Sequence, residues 1–111
     1  MSTALSEKTC SACRGGVPSL DTDEAGKLLA EVPEWQLNDD ATLLSREFRF
    51  DNFRQAMTFA GQVGELAEEQ GHHPVITFGW GFCRIETQTR KIHGLHENDF
   101  ILAAKIDELL N

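Results

Sequence analysis

Basic residues are scarce in this sequence. Ten Lys and Arg stand against eighteen Asp and Glu, a formal net charge of −8 that is spread along the chain rather than gathered in a tail. Such a balance repels phosphate backbones and argues against a nucleic-acid-binding module. Long apolar runs are missing as well. None approaches the roughly 20 residues that cross a bilayer, so no membrane association is expected. Residues 1–8 have no basic stretch followed by an apolar one, and no secretory signal is expected there. Cysteine is sparse and odd in number, three in all. That fits no disulfide framework and points to reduced thiols in a cytoplasm. Internal repeats and low-complexity tracts are absent.

What is present fits one globular domain. The chain has 111 residues, 41% of them hydrophobic and 25% charged. A domain of this length buries about two-thirds of its unfolded surface, enough for a core without disulfides or a metal. Residues 1–19 are small and polar, show neither structural period, and read as a flexible arm; residues 20–111 read as the folded domain.

Hydrophobic spacing then gives an order of elements. Asp21 or Thr22 can cap a helix running to about Val32, which Pro33 would end. Trp35-Gln36-Leu37 alternates as a short strand, Asn38-Asp39-Asp40 supplies a turn, and Leu44, Phe48 and Phe50 share one face of a second strand. Asp51 or Asn52 can cap the clearest helix, whose stripe is Phe53, Ala56, Met57, Ala60, Val63 and Ala67, with Gly71 suited to close it. Ile76, Phe78 and Trp80 alternate, the phase changes at Gly81-Phe82 as in a two-residue loop led by Gly, and Cys83, Ile85 and Thr87 resume it. Asn98 to Leu110 is a last helix. The prediction is an α+β fold of order α-β-β-α-β-β-α, with a four-stranded antiparallel sheet and helices packed on one face. The last helix carries more apolar surface than one stripe needs, and part of it is expected to lie between subunits.

Chemistry concentrates late in the chain. All four histidines fall between positions 72 and 96. His72-His73 lies where the long helix stops, at an end that favours imidazolium. Glu68 stands four residues before His72, close enough to orient it. Pro74 directs the pair into the next strand. Two groups titrating near neutrality beside a carboxylate can supply an acid and a base. From the residues alone, a polar surface turn that is merely His-rich is the favoured reading. Cys10-Ser-Ala-Cys13 has zinc-ligand spacing, but a closed site wants four ligands, and no metal is expected. Trp80 reads as a core or pocket-wall aromatic, and His96 as a solvated residue at a helix start.

The run Glu68-Glu69-Gln70-Gly71-His72-His73-Pro74, followed by Trp80, Gly94-Leu95 and Asp99, resembles the pterin-4a-carbinolamine dehydratase family. Trp35 matches a tryptophan of the family's first strand, and the likeness runs from about Leu20 to the end. The resemblance implies a homodimer or homotetramer that dehydrates 4a-hydroxytetrahydropterin to the quinonoid dihydropterin, with no cofactor. Carried over by position, His72 would contact and position the pterin and His73 would act as acid/base. Glu68 would hold the pair, Asp99 would support the site, and Trp80 would meet the substrate. The family's third His falls seventeen residues after His73, at Arg90. Arginine cannot cycle a proton near neutrality. Either His93 swings in, or Arg90 faces an anionic group on another pterin, or it pairs with a surface acid. A further alternative is a non-catalytic dimerisation cofactor for a partner protein.

Overall fold

The structure, a computed structural model, describes residues 4–10 and 18–110. Three helices, α1 (Thr22–Leu29), α2 (Phe53–Gln70) and α3 (Glu97–Glu108), accompany four strands, β1 (Gln36–Leu37), β2 (Leu44–Arg49), β3 (Val75–Gly79) and β4 (Phe82–Thr87). The strands form one antiparallel sheet in the order β1-β2-β4-β3. Leu44, Phe48, Cys83 and Ile85 are buried on its inner face under the helices. The opposite face carries Glu47, Arg84 and Glu86, charged side chains that pair in solvent. The expected α+β architecture is the one observed.

Local chemistry sets the boundaries. α1 opens with a capping box: the Asp21 carboxylate accepts from the Glu24 N–H at 2.8 Å, and the Glu24 carboxylate accepts from the Asp21 N–H at 3.0 Å. Its helix ends at Leu29 rather than at Val32. Glu31 and Val32 donate to Leu28 and Leu29, three residues back, so the chain tightens into a turn before Pro33 constrains it. Trp35 stands just before β1 rather than in it, wholly buried, its indole N–H donating to the Asp107 carboxylate at 2.9 Å.

The buried face of α2 is Ala56, Phe59, Ala60, Val63 and Ala67. Phe53 and Met57, expected in that stripe, are 46% and 39% exposed. Phe59 replaces them in the core, between the rings of Phe48 and Phe50 at 4.7 and 5.2 Å. The β3–β4 loop is also shifted by one residue from expectation. It is Trp80-Gly81, because Gly79 still pairs with Phe82. Gly81 takes φ +80 at the second loop position, where a Cβ would be strained and would meet the Phe50 carbonyl at 3.3 Å.

Residues 4–10 fall in the segment expected to be a flexible arm, yet they are packed on α3. Leu5 is buried in the core at 3% exposure, a gain of about 1.5–3 kcal/mol for a side chain of its kind. Lys105 donates to the Ser6 carbonyl at 2.9 Å, Lys8 pairs with Glu97 at 3.0 Å, and the Cys10 N–H donates to the Gln70 side chain at 3.0 Å. This cover accounts for the surplus apolar surface of α3, whose Phe100, Ile101, Leu102, Ala103 and Ile106 are all buried within the single chain. The exposed large apolar side chains are instead mostly those of α2 and the β3 edge: Phe53, Met57, Val75, Phe78 and Trp80.

Candidate active site

The site begins at the end of α2. Gly71 adopts φ 63, the left-handed conformation that terminates a helix, and the His72 N–H reaches back to the Ala67 carbonyl at 3.2 Å. This closure turns the chain so that His72 enters the interior while His73 stays outside. Pro74 follows and β3 starts one residue later.

His72 is nearly buried, and its Nε2 lies 2.7 Å from Asp99 Oδ1. Asp99 is fully buried in the first turn of α3. Its carboxylate collects four donors. Thr87 Oγ1 donates to Oδ1 at 2.6 Å, Thr89 Oγ1 donates to Oδ2 at 2.7 Å, and the His96 N–H donates to Oδ2 at 3.0 Å, with His72 as the fourth. A buried carboxylate so fully bonded is a rigid post. An ionised carboxylate only accepts, so the His72 nitrogen facing it carries the hydrogen, which fixes the tautomer. His96 caps α3, with Nδ1 accepting from the Asn98 N–H at 3.1 Å.

His73 repeats this arrangement at the surface. Its Nε2 lies 2.7 Å from Glu68 Oε2, with the two side chains 63% and 74% exposed. Each adjacent histidine therefore has its own carboxylate on Nε2. That leaves Nδ1 of each ring as the nitrogen not committed to a carboxylate. Glu68, expected to hold both rings, holds His73 alone.

Both rings line a cavity of about 380 Å³ between the turn at 71–74 and the turn at 88–91. Arg90 and Lys91 form its far wall, and neither makes an ion pair among the described residues. The 88–91 turn is fastened by the Thr89 N–H donating to the Gly94 carbonyl at 2.8 Å. At Gly94 a side chain would collide with Ser19, 2.7 Å from an ideal Cβ. His93 ends the turn at φ 52, exposed and outside the cavity lining, so it does not take the place of Arg90. Trp80 is also outside that lining; it sits in the loop at the opposite end of β3, 72% exposed.

Sequence reading missed Thr87 and Thr89. A signal existed: Thr87 continues the inward alternation of Cys83 and Ile85, and a hydroxyl on a core face needs a partner. Cys13 lies outside the described residues, which leaves the Cys10–Cys13 spacing without a structural counterpart. Cys10 is half-buried, its thiol donating to the Asn98 carbonyl at 3.6 Å, and burial, with Lys105 opposing, pushes it up to about 11.

A fixed histidine, a solvent-linked histidine and two cationic side chains around one cavity can bind a polar heterocycle and move a proton on it. Comparison with known proteins identifies the relatives of the chain. Residues 18–109 match the family model described as pterin 4 alpha carbinolamine dehydratase. A Methylococcus capsulatus protein, provisionally named pterin-4-alpha-carbinolamine dehydratase, is 60% identical over 106 residues, covering 96% of this chain and 93% of its own. One from Aromatoleum aromaticum with the same provisional name is 53% identical over 98% of this chain and 97% of its own. Among solved structures, a transcriptional coactivator/pterin dehydratase from Brucella melitensis matches with a TM-score of 0.78 at 26% identity, over 84% of this chain and 99% of that one. A pterin dehydratase-like protein described as a RuBisCO assembly factor in the alpha-carboxysome matches at 0.59 and 27% identity, over 68% of this chain and 88% of that one.

Proposed function

The chain belongs to the pterin 4 alpha carbinolamine dehydratase family, and from that premise we propose that it dehydrates 4a-hydroxytetrahydropterin to the quinonoid dihydropterin. In this elimination the C4a–O bond breaks, the hydroxyl leaves with an added proton as water, and N5 loses its proton as the C4a=N5 bond forms. One proton leaves the ring and one arrives at the hydroxyl, so a single histidine that gives and takes can serve both. The observation that carries the reading is the pair of adjacent histidines, each anchored through Nε2 to its own carboxylate and both lining one cavity.

His73 is the acid/base in this scheme. It is exposed, so its proton exchanges with solvent, and Glu68 orients the ring. His72 binds and orients the pterin, locked by Asp99 with little freedom left to lose on binding. Arg90 and Lys91 contribute donors and positive charge rather than proton transfer. The reaction belongs in the cytoplasm, in a homo-oligomer. Mixing the purified protein with freshly generated 4a-hydroxytetrahydropterin and following its decay by ultraviolet absorbance tests this. Decay at the spontaneous rate refutes the reading.

Arg90 and Lys91, which make no ion pair among the described residues, support a second reading, in which the pterin's side chain ends in a phosphate or carboxylate. A purely assembly-related role, such as the name of the RuBisCO assembly factor suggests for that protein, would leave two histidine–carboxylate pairs at a cavity without a use.

A further inference from the structure

Residues 4–10 do more than cover α3. Cys10 touches both helix ends that carry the buried pair of the site. Its backbone N–H donates to the Gln70 side-chain oxygen at 3.0 Å, and its thiol donates to the Asn98 carbonyl at 3.6 Å. Gln70 is the last residue of α2, just ahead of Gly71 and His72, and Asn98 immediately precedes Asp99. One residue therefore bridges the approaches to both partners of the 2.7 Å His72–Asp99 bond.

The bridge is anchored on either side. Leu5 is buried in the core, the Ser6 carbonyl accepts from Lys105, and Lys8 pairs with Glu97. These contacts follow α3 from Lys105 back to Glu97, about 12 Å of helix, and deliver Cys10 to the helix start. Beyond residues 11–17, Ser19 lies against Gly94, and the Leu20 N–H donates to the Leu95 carbonyl at 2.9 Å. The described stretches on both sides thus hold the segment from Gly94 to Asn98, which leads into Asp99. Burial is the main reason that the Cys10 thiol is pushed up to about 11; Lys105 opposes this and the charge of Asp99 adds to it. The thiol therefore keeps its proton near neutrality, as a donor to a carbonyl must, and lies within electrostatic reach of the carboxylate that holds His72.

We propose that residues 4–10 are a strap that sets the position of His72, with Gln70 and Cys10 as positioning residues that hold the end of α2 against the start of α3. Neither residue lines the cavity, so both act through the His72–Asp99 bond. An arm that only covered apolar surface would need Leu5 and no hydrogen bond to α2. A bond to each helix end instead limits how far the two can part, and the imidazole between them feels any such movement directly.

This inference rests on the pterin reading for its effect on turnover, whereas the bridge itself is tested without substrate. Gln70→Leu removes the acceptor and keeps a good helix former. In the full chain it should raise KM for the carbinolamine by about five- to ten-fold, short of the roughly 10²-fold that an ångström of misplacement can cost. Because His73 and Glu68 keep their places, kcat should stay within about two-fold, the pattern of weakened binding. Gln70→Glu keeps an acceptor oxygen and should restore the wild-type KM. In proton–nitrogen NMR the His72 Nε2–H should be protected from water in the wild type. It should exchange faster in Gln70→Leu and also in Cys10→Ala, which cuts only the bond to Asn98. A His72 signal unchanged in either variant overturns the strap, and so does a Gln70→Glu chain that behaves like Gln70→Leu. An inactive wild type refutes the dehydratase reading alone, and the strap is then judged by the imidazole signal.

Discussion

His72 and Asp99 stand 27 positions apart in sequence and 2.7 Å apart in space, both withdrawn from solvent at the meeting of two helix ends. His72 is set by the left-handed closure of α2, and Asp99 by the first turn of α3. Their bond therefore ties the cavity to the core and transmits the placement of both helices to one imidazole. Asp99→Asn tests this tie. The amide would turn an NH₂ toward groups that are themselves donors, leaving at least one unsatisfied. A loss of about 1–3 kcal/mol is expected in denaturant unfolding, with weaker pterin binding. Unchanged stability would mean that the four bonds to Asp99 are not held together in solution.

His73→Ala is expected to lower turnover by about 10²–10⁴-fold, the usual worth of a positioned acid or base. It should leave the unfolding midpoint unchanged, because the His73–Glu68 pair is exposed and such pairs contribute little to stability. Glu68→Gln should reduce turnover less, since the ring keeps a hydrogen-bonding neighbour. Wild-type turnover by His73→Ala would remove His73 from the mechanism.

The order of elements was legible because periodicity reports burial, and burial dictates this fold. Ala56, Ala60, Val63 and Ala67 are where spacing predicts them. Phe53 and Met57 misled because they fit the same stripe yet lie in the first turns of α2, part-exposed, where the Phe53 ring meets that of Phe78 at 5.6 Å. Leu5 was illegible for the opposite reason. A lone apolar residue in a polar segment has no period, and only the tertiary hollow on α3 gives it a place. At the site, local sequence exposes the Glu68–His73 neighbourhood. The His72–Asp99 pair is a contact between residues 27 positions apart that no local spacing reports; the family likeness implied only that Asp99 supports the site.

Burial pushes the thiols of both Cys10 and Cys83 up to about 11, from an ordinary value of 9.0. The folded state therefore holds these protons to higher pH than the unfolded state does. Their stabilising contribution is full below about pH 9, declines between 9 and 11, and is gone above the folded value. The chain has no tyrosine to titrate in that window. The unfolding midpoint of the wild type should fall from pH 9 to 11 more steeply than that of Cys83→Ala. Parallel declines would show that the Cys83 thiol is not protected by the core.

Arg90 stands where the family resemblance implies a third histidine, and it borders the cavity with no ion-pair partner among the described residues. A guanidinium there is a permanent charge with a fork of donors, suited to phosphate or carboxylate and unsuited to passing a proton. Arg90→His distinguishes two consequences. If a missing acid/base partner slows the reaction, the substitution should raise turnover of the unsubstituted carbinolamine by about ten-fold. If Arg90 instead recognises an anionic side chain, the same change should weaken binding of a phosphorylated or carboxylated pterin by about 1.5–3 kcal/mol, the cost of one lost charged hydrogen bond, and leave the neutral pterin unaffected. Raised salt should weaken the anionic ligand in the wild type and do less in Arg90→His, because screening acts only on the charge that is present. An Arg90→His protein indistinguishable from wild type in turnover, in both affinities and in salt response would mean that the guanidinium points to bulk water and takes no part in the site.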